Sequence, residues 1–131
     1  QNVTEDDLSD AKAIFNSFGK CEVVPESMMD TVIGVSGSSP AYVYMFIEAM
    51  ADAAVADGMT RAQSYKFAAQ AVLGAAKMVL ETETHPGALK DAVCSPGGTT
   101  IEAVAMLEQL GLRSTVINAQ RACVKKSKDM T

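Results

Sequence analysis

The stretch AYVYMFIEAMADAAVAD, residues 41–57, limits the possible folds more than any other part of the chain. Read at helical spacing, its apolar side chains run almost all round the axis, and only Glu48, Asp52 and Asp57 carry charge. A helix without a polar face is buried in a core or laid in an interface between subunits. It does not cross a bilayer, because nowhere does the chain contain the run of about 18 apolar residues that this requires. Pro40 begins the helix where its missing N–H costs no bond, and Gly58 closes it. With 131 residues, 48% of them hydrophobic, the chain is one domain with enough apolar material for a real core.

The flanking segments are also helical. Thr4 can cap a first helix with Glu5, Asp6 and Asp7 in its first turn, where carboxylates suit the positive end of the dipole. Leu8, Ala11, Ile14, Phe15 and Phe18 share one face, and Gly19 ends the helix. CEVV, residues 21–24, reads as a short strand stopped by Pro25, although a lone strand needs a partner and the chain offers only weak ones such as TVIGV. Residues 1–25 therefore look like the tail of an αβ unit whose sheet lies elsewhere. Because the sequence starts at Gln1 and a helix signal follows at once, it is expected to be a piece of something longer.

PESMMDTVIGVSG gives a short helix before a break at SGSSP. Thr60 caps the helix after Gly58, with Gln63 in the capping-box position, and that helix runs to about Thr82. Its alanines and Gly74 let neighbouring backbones come close. ETETHPG interrupts the chain, ALKDAV follows, a helix runs from about Thr99 to Leu110, and Gly111 stops it. In the last helix Arg121, Lys125, Lys126 and Lys128 complement the negative dipole end. The sum is an all-α domain of five or six helices.

A formal charge of −5 argues against nucleic acid or an anionic membrane as partner. Three dispersed cysteines, Cys21, Cys94 and Cys123, read as reduced thiols of a cytoplasmic protein, and no histidine cluster suggests a metal.

The chemistry concentrates in SPGGTT, residues 95–100. As a helix start, Thr99 serves as N-cap with Glu102 completing a capping box. That leaves Gly97, Gly98 and Thr100 unexplained. Glycines at a helix N-terminus let backbone N–H groups close on an anion, and Ser95 and Thr100 add hydroxyls that donate and accept. Without a lysine at the P-loop position, a small carboxylate suits this cradle better than a nucleotide phosphate. From the residues alone both readings stand. Glu83 is a lone carboxylate at a helix end, His85 a turn residue before proline, and Cys94 has no histidine near it in sequence to make it a nucleophile.

Taken together, VSGSSPAYVYMFIEAMADAAVADGM, QAVLGAAKMVLE, HPGALKDAVCSPGGTTIEAVAMLE and INAQRA resemble the C-terminal half of pyrroline-5-carboxylate reductases, from about Val3 to Lys128. The most specific part is Val93, Cys94, Ser95, Gly97, Gly98 and Thr100, followed by the apolar Ala103, Val104 and Leu107; the Ser-Gly-x-x-Pro-Ala helix start at Ser36 to Ala41 adds to it. The resemblance implies an enzyme that reduces 1-pyrroline-5-carboxylate to L-proline with NADPH or NADH, the last step of proline biosynthesis. It implies a helical dimerisation domain of the 6-phosphogluconate dehydrogenase C-terminal type over residues 26–131. Residues 1–25 would then be the last helix and strand of a Rossmann domain. The dinucleotide would be bound by the absent N-terminal domain, since no G-x-G-x-x-G occurs here. The imino-acid substrate would lie at a homodimer interface, with dimers often assembling further. Val93, Ser95, Gly97, Gly98, Thr99 and Thr100 would bind substrate. Thr100 would bond the ring nitrogen, and Glu83 would order the polar side of the site. The family usually reads Ser-Gly-Ser-Gly-Pro, and Ser39 stands where its second glycine falls. Two other readings remain at this point: a non-catalytic helical dimerisation module, and the C-terminal domain of a related imine or β-hydroxyacid reductase.

Overall fold

The computed structural model describes residues 3–130. Its elements in chain order are α1 (Glu5–Asn16), a 3₁₀ turn (Glu26–Met28), α2 (Met29–Val32), a π-turn (Ile33–Gly37), α3 (Ser39–Ala56), α4 (Arg61–Thr82), α5 (Pro86–Ala92), α6 (Thr99–Gln109) and α7 (Leu112–Lys128). The all-α expectation holds, with one helix more than expected because ALKDAV joins Pro86 and Gly87 to form α5.

The strand expected at Cys21–Val24 is not formed. The segment has no regular secondary structure, because no second segment lies alongside to supply a ladder. α1 is capped as expected: the Thr4 hydroxyl accepts from Asp7 N–H at 3.1 Å, and Thr4 N–H donates to the Asp7 carboxylate at 2.9 Å. The Thr4 hydroxyl also donates to the Asp7 carboxylate at 2.6 Å, and that bond together with the one from Thr4 N–H holds the Asp7 carboxyl below its ordinary pKa. α1 stops at Asn16, three residues before Gly19, with Ser17 N–H turning back to the Ile14 carbonyl at 3.2 Å.

The expected break at SGSSP is a π-turn. Ser38 N–H reaches back five residues to the Ile33 carbonyl at 2.9 Å, and α3 starts at once on Ser39 and Pro40. Among the described residues Glu83 is the sole non-glycine with positive φ. Ser39 therefore needs no left-handed backbone where the family carries glycine. The Thr60 cap forms in part. Its hydroxyl accepts from Gln63 N–H at 3.4 Å and donates to the Gln63 side-chain oxygen at 2.7 Å, so the reciprocal bond to the Thr60 backbone is replaced.

α3 and α4 form an antiparallel hairpin, turned by Gly58 at φ 99°. Small residues sit where the helices meet: Ala51, Ser64 and Ala68 are buried, and Ser64 bonds the Thr60 carbonyl at 2.9 Å. Asp52 pairs with Arg61 across the turn, and the guanidinium lies 5.5 Å from the Tyr65 ring centroid. α7 packs on α2 and the π-turn, and the Tyr42 hydroxyl meets the Cys123 thiol, which raises the phenol pKa.

Little of the apolar material is covered. Tyr44, Met45 and Phe67 are 69%, 70% and 66% exposed. The chain exposes 10462 Å². A folded monomer of 13.8 kDa is expected to expose about 6,600 Å². The all-apolar helix at 41–57 thus finds no core in a single chain. Of the two environments that suit such a helix, an interface is the one that fits.

Candidate functional site

The loop between α5 and α6 is built by local turns. α5 is capped by His85, whose Nδ1 accepts from Gly87 N–H at 3.0 Å, so the one histidine is a helix cap where the sequence suggested only a turn residue. At the other end Val93 N–H donates to the Lys90 carbonyl at 3.2 Å and Cys94 N–H to the Asp91 carbonyl at 3.0 Å. Ser95, Pro96, Gly97 and Gly98 then make a tight turn closed by Gly98 N–H on the Ser95 carbonyl at 3.0 Å. Proline in its second place and glycine at φ 66° in its third are the residues that a type II turn demands.

One expectation is corrected here. The N-cap of α6 is Gly98, not Thr99, and no side chain caps the helix. Thr99 is the first helical residue and Thr100 the second. The Pro-Gly turn is the cause: it delivers the chain in extended backbone at Gly98 (φ −80°, ψ 165°), one residue too early for Thr99 to take the cap position. Glu102 therefore has no capping box to complete. Instead its N–H reaches the Gly98 carbonyl at 3.4 Å. The N–H groups of Thr99, Thr100 and Ile101 are left as the orphan donors of a helix start, with the dipole behind them and glycine in front.

Val93, Ser95, Gly97, Gly98, Thr99 and Thr100 thus lie together in one loop and helix start. Ser95, Gly97, Thr99 and Thr100 are exposed, and Gly98 is half-buried. A Cβ on Gly98 would meet Ser95 Oγ at 2.3 Å and the Ser95 carbonyl oxygen at 3.1 Å, so a side chain there would turn the Ser95 hydroxyl away and push on the turn's carbonyl. Glu83 stands apart. It ends α4, and α5, about 10 Å long at 1.5 Å per residue, separates it from the loop within one chain. Its backbone is left-handed, φ 53°, with its N–H on the Val79 carbonyl at 3.2 Å. A non-glycine held there costs on the order of 1 kcal/mol. Nothing in ETETHPG signals this strain, because glutamate is not a residue that sequence reasoning places in that region.

Three surface grooves lie elsewhere. One of about 560 Å³ is lined by Tyr42, Met45, Phe46, Val72, Leu112 and Val116, a second of about 500 Å³ by Val104, Leu107, Leu112 and Val116, and a third of about 450 Å³ by Gln120, Arg121 and Lys125. None of these three includes Ser95–Thr100. The candidate site is an open surface feature in a single chain.

A family model described as pyrroline-5-carboxylate reductase dimerisation matches residues 26–130. The chain belongs to this family. Among pyrroline-5-carboxylate reductases, that of Escherichia coli (strain K12) is 65% identical over 129 residues, covering 98% of this chain and 48% of the relative. That of Synechocystis is 52% identical over 128 residues, again 98% of this chain and 48% of the relative. The chain therefore spans about half the length of the curated relatives it matches. The solved pyrroline-5-carboxylate reductase of Coxiella burnetii superposes with a TM-score of 0.93 at 36% identity, covering 100% of this chain and 49% of that one. A pyrroline carboxylate reductase of Plasmodium falciparum, solved with NADP bound, gives a TM-score of 0.87 at 38% identity over 99% of this chain and 50% of its own. Family membership and helical fold agree with the resemblance drawn from SPGGTT and the Ser36–Ala41 helix start.

Proposed function

We propose that this chain is the substrate-binding and dimerising half of a pyrroline-5-carboxylate reductase, an enzyme that reduces 1-pyrroline-5-carboxylate to L-proline. The observation that carries this is the open start of α6. Gly98 caps it with no side chain, and Thr99, Thr100 and Ile101 present their N–H groups beyond it. A ring carboxylate fits those donors, as anions fit helix N-termini generally. The Thr100 hydroxyl, next along the helix, bonds the ring nitrogen. Ser95, exposed in the turn, adds a second hydroxyl, and Val93 gives an apolar wall.

The residues present do not make a dinucleotide site: the chain contains no G-x-G-x-x-G and, among the described residues, no strand leading into a glycine loop. Hydride supply, from NADPH or NADH, belongs to the other half of the enzyme, as does the choice between them. This division places residues 1–25 with the dinucleotide half and 26–131 with the helical half. We take the assembly to be a homodimer, able to associate further, in the cytoplasm. No helix among the described residues is long and apolar enough to cross a membrane.

The test is to rejoin the chain to the half that precedes it. The expected result is NADPH or NADH oxidation that requires pyrroline-5-carboxylate. Oxidation without that substrate, or none with it, refutes the reading.

Two variants probe the site within this frame. Gly98→Ala should raise KM for the imino acid about tenfold, the loss of roughly one charge-assisted hydrogen bond. Its Cβ would force the Ser95 hydroxyl and the turn carbonyl apart. An unchanged KM would show that the turn does not bind the carboxylate. Glu83→Gly should separate stability from activity. Relieving a left-handed glutamate should raise Tm by a few degrees, while removing the carboxylate lowers turnover. A variant that gains stability and keeps full activity would leave Glu83 without a role.

A further inference from the structure

The π-turn at Ile33–Gly37 is held by a side chain from the far end of the sequence. Turned to match its partners, the Gln120 amide donates to the Gly34 carbonyl at 2.8 Å and accepts from Val35 N–H at 2.9 Å. A π-turn disrupts the regular helix ladder, and freed backbone groups must find other partners. Gln120 bonds both sides of the peptide group that joins Gly34 to Val35. Glycine leaves room for it there: a Cβ on residue 34 would lie 2.6 Å from the near end of the Gln120 amide and 2.9 Å from Val124 Cγ2. Two turns further along α7, the Ser127 hydroxyl donates to Asp30 at 2.6 Å. Gln120, Val124 and Ser127 follow the i, i+4, i+7 spacing of one helix face, so this face of α7 is seated on Asp30 to Val35.

The place of this seat in the chain gives it meaning. The 3₁₀ turn, α2 and the π-turn follow directly on residues 17–25, the arm that leads from α1 into the helical domain. α7 follows directly on α6, whose first turn is the candidate substrate site. Contacts of α7 with α2 and the π-turn tie these two parts together within one chain, and α6 is tied in through α7. We infer that Gln120, through its two bonds at Gly34 and Val35, is a positioning residue that sets the α6 start relative to the arm leading to the hydride-supplying half. This rests on the function proposed above. Reactions between two bound partners are sensitive to such placement, and about 1 Å of misalignment costs up to a hundredfold in rate.

The experiment uses the full-length enzyme with Gln120→Met, which keeps the side-chain length and removes both bonds, and with Gly34→Ala, which expels the amide. Each should lower kcat about tenfold, within the range for small misplacements, with KM for pyrroline-5-carboxylate, dinucleotide affinity and dimer mass unchanged. The double variant should be no worse than either single one, because both break the same lock. Amide hydrogen exchange at Val35 supplies a readout free of catalysis: protection present in the wild type should be lost in Gln120→Met. Wild-type kcat in Gln120→Met, or a fall in KM-related binding and dimer mass in place of kcat, overturns the positioning role. Unchanged Val35 protection overturns the lock itself. An inactive wild type refutes the proposed function instead, and leaves the exchange result to decide the lock alone.

Discussion

Thr100→Ala should lower kcat of the rejoined enzyme by about 10²–10³-fold, the loss expected when a donor made for the transition state is removed. The reason is where the hydroxyl stands. Thr100 is the second residue of α6, exposed, and its hydroxyl has no partner within the chain among the described residues. Were Thr100 a cap, alanine would destabilise the helix by about 1 kcal/mol. Since Gly98 holds the cap position, the fold has no need of the Thr100 hydroxyl, and thermal stability should change by no more than about 0.5 kcal/mol. Thr100→Ser keeps the hydroxyl and should retain activity within a few-fold. The pair of measurements isolates a chemical role: a large kinetic loss in the alanine variant at constant Tm, recovered by serine. Equal activity of Thr100→Ala and the wild type would remove the ring-nitrogen bond from the mechanism. Equal losses in kcat and Tm would make Thr100 a structural residue.

The correction at this helix start strengthens the functional reading over the purely structural one. From sequence, Thr99 and Glu102 satisfied a capping-box pattern, and that pattern competed with an anion cradle for the same residues. Sequence spacing measures residues, but a cap depends on where the backbone turns. The Ser95–Gly98 turn ends one residue earlier than the pattern assumes and puts glycine in the cap position. The donors a threonine cap would have consumed are left open. Caps whose turns were set by the capping residue itself were legible: Thr4 with Asp7, and Thr60 with Gln63 at the amide. The long helices were legible as well, since apolar periodicity marks them, whereas the short α5 and the early end of α1 at Asn16 were not. Cys21–Val24 forms no strand here because a β-rich run becomes one only where a partner exists, and the described residues offer none. Two features had no local signal at all. The left-handed Glu83 is invisible because its strain is imposed by the chain around it. The Gln120–Gly34 lock joins residues from opposite ends of the sequence, and nothing in TVIGVSG marks Gly34 as the seat of a distant side chain.

The isolated chain should sediment as a dimer at micromolar concentration, and Met45→Asp should weaken that dimer about 10⁴-fold. A surface of 10462 Å² is about 3,800 Å² more than a folded monomer of this mass carries by the size scaling of globular proteins. An excess of that size per chain belongs to obligate interfaces, which run to several thousand Å² and resemble a divided core. Met45 is 70% exposed and lines the 560 Å³ groove with Phe46, Val72, Leu112 and Val116, an apolar surface that calls for an apolar cover. A second copy supplies one, because the same helix carries Tyr44 and Phe46 and α4 carries Phe67 and Leu73, all exposed. In a two-fold interface each residue is buried twice. An unpaired carboxylate costs at least about 3 kcal/mol on burial, so two cost about 6 kcal/mol, and each 1.4 kcal/mol is a factor of ten. Met45→Leu, of similar volume and without charge, should leave the dimer intact. In the proposed function Glu83 and Thr100 serve one site although α5 lies between them in the chain, and that reading has a second copy complete the site. Loss of the dimer should therefore abolish activity in the full-length enzyme even though no residue of the loop has changed. A stable 13.8 kDa monomer of the wild type at micromolar concentration would overturn the dimer, and a Met45→Asp chain that dimerises as tightly as the wild type would overturn the face assigned to it.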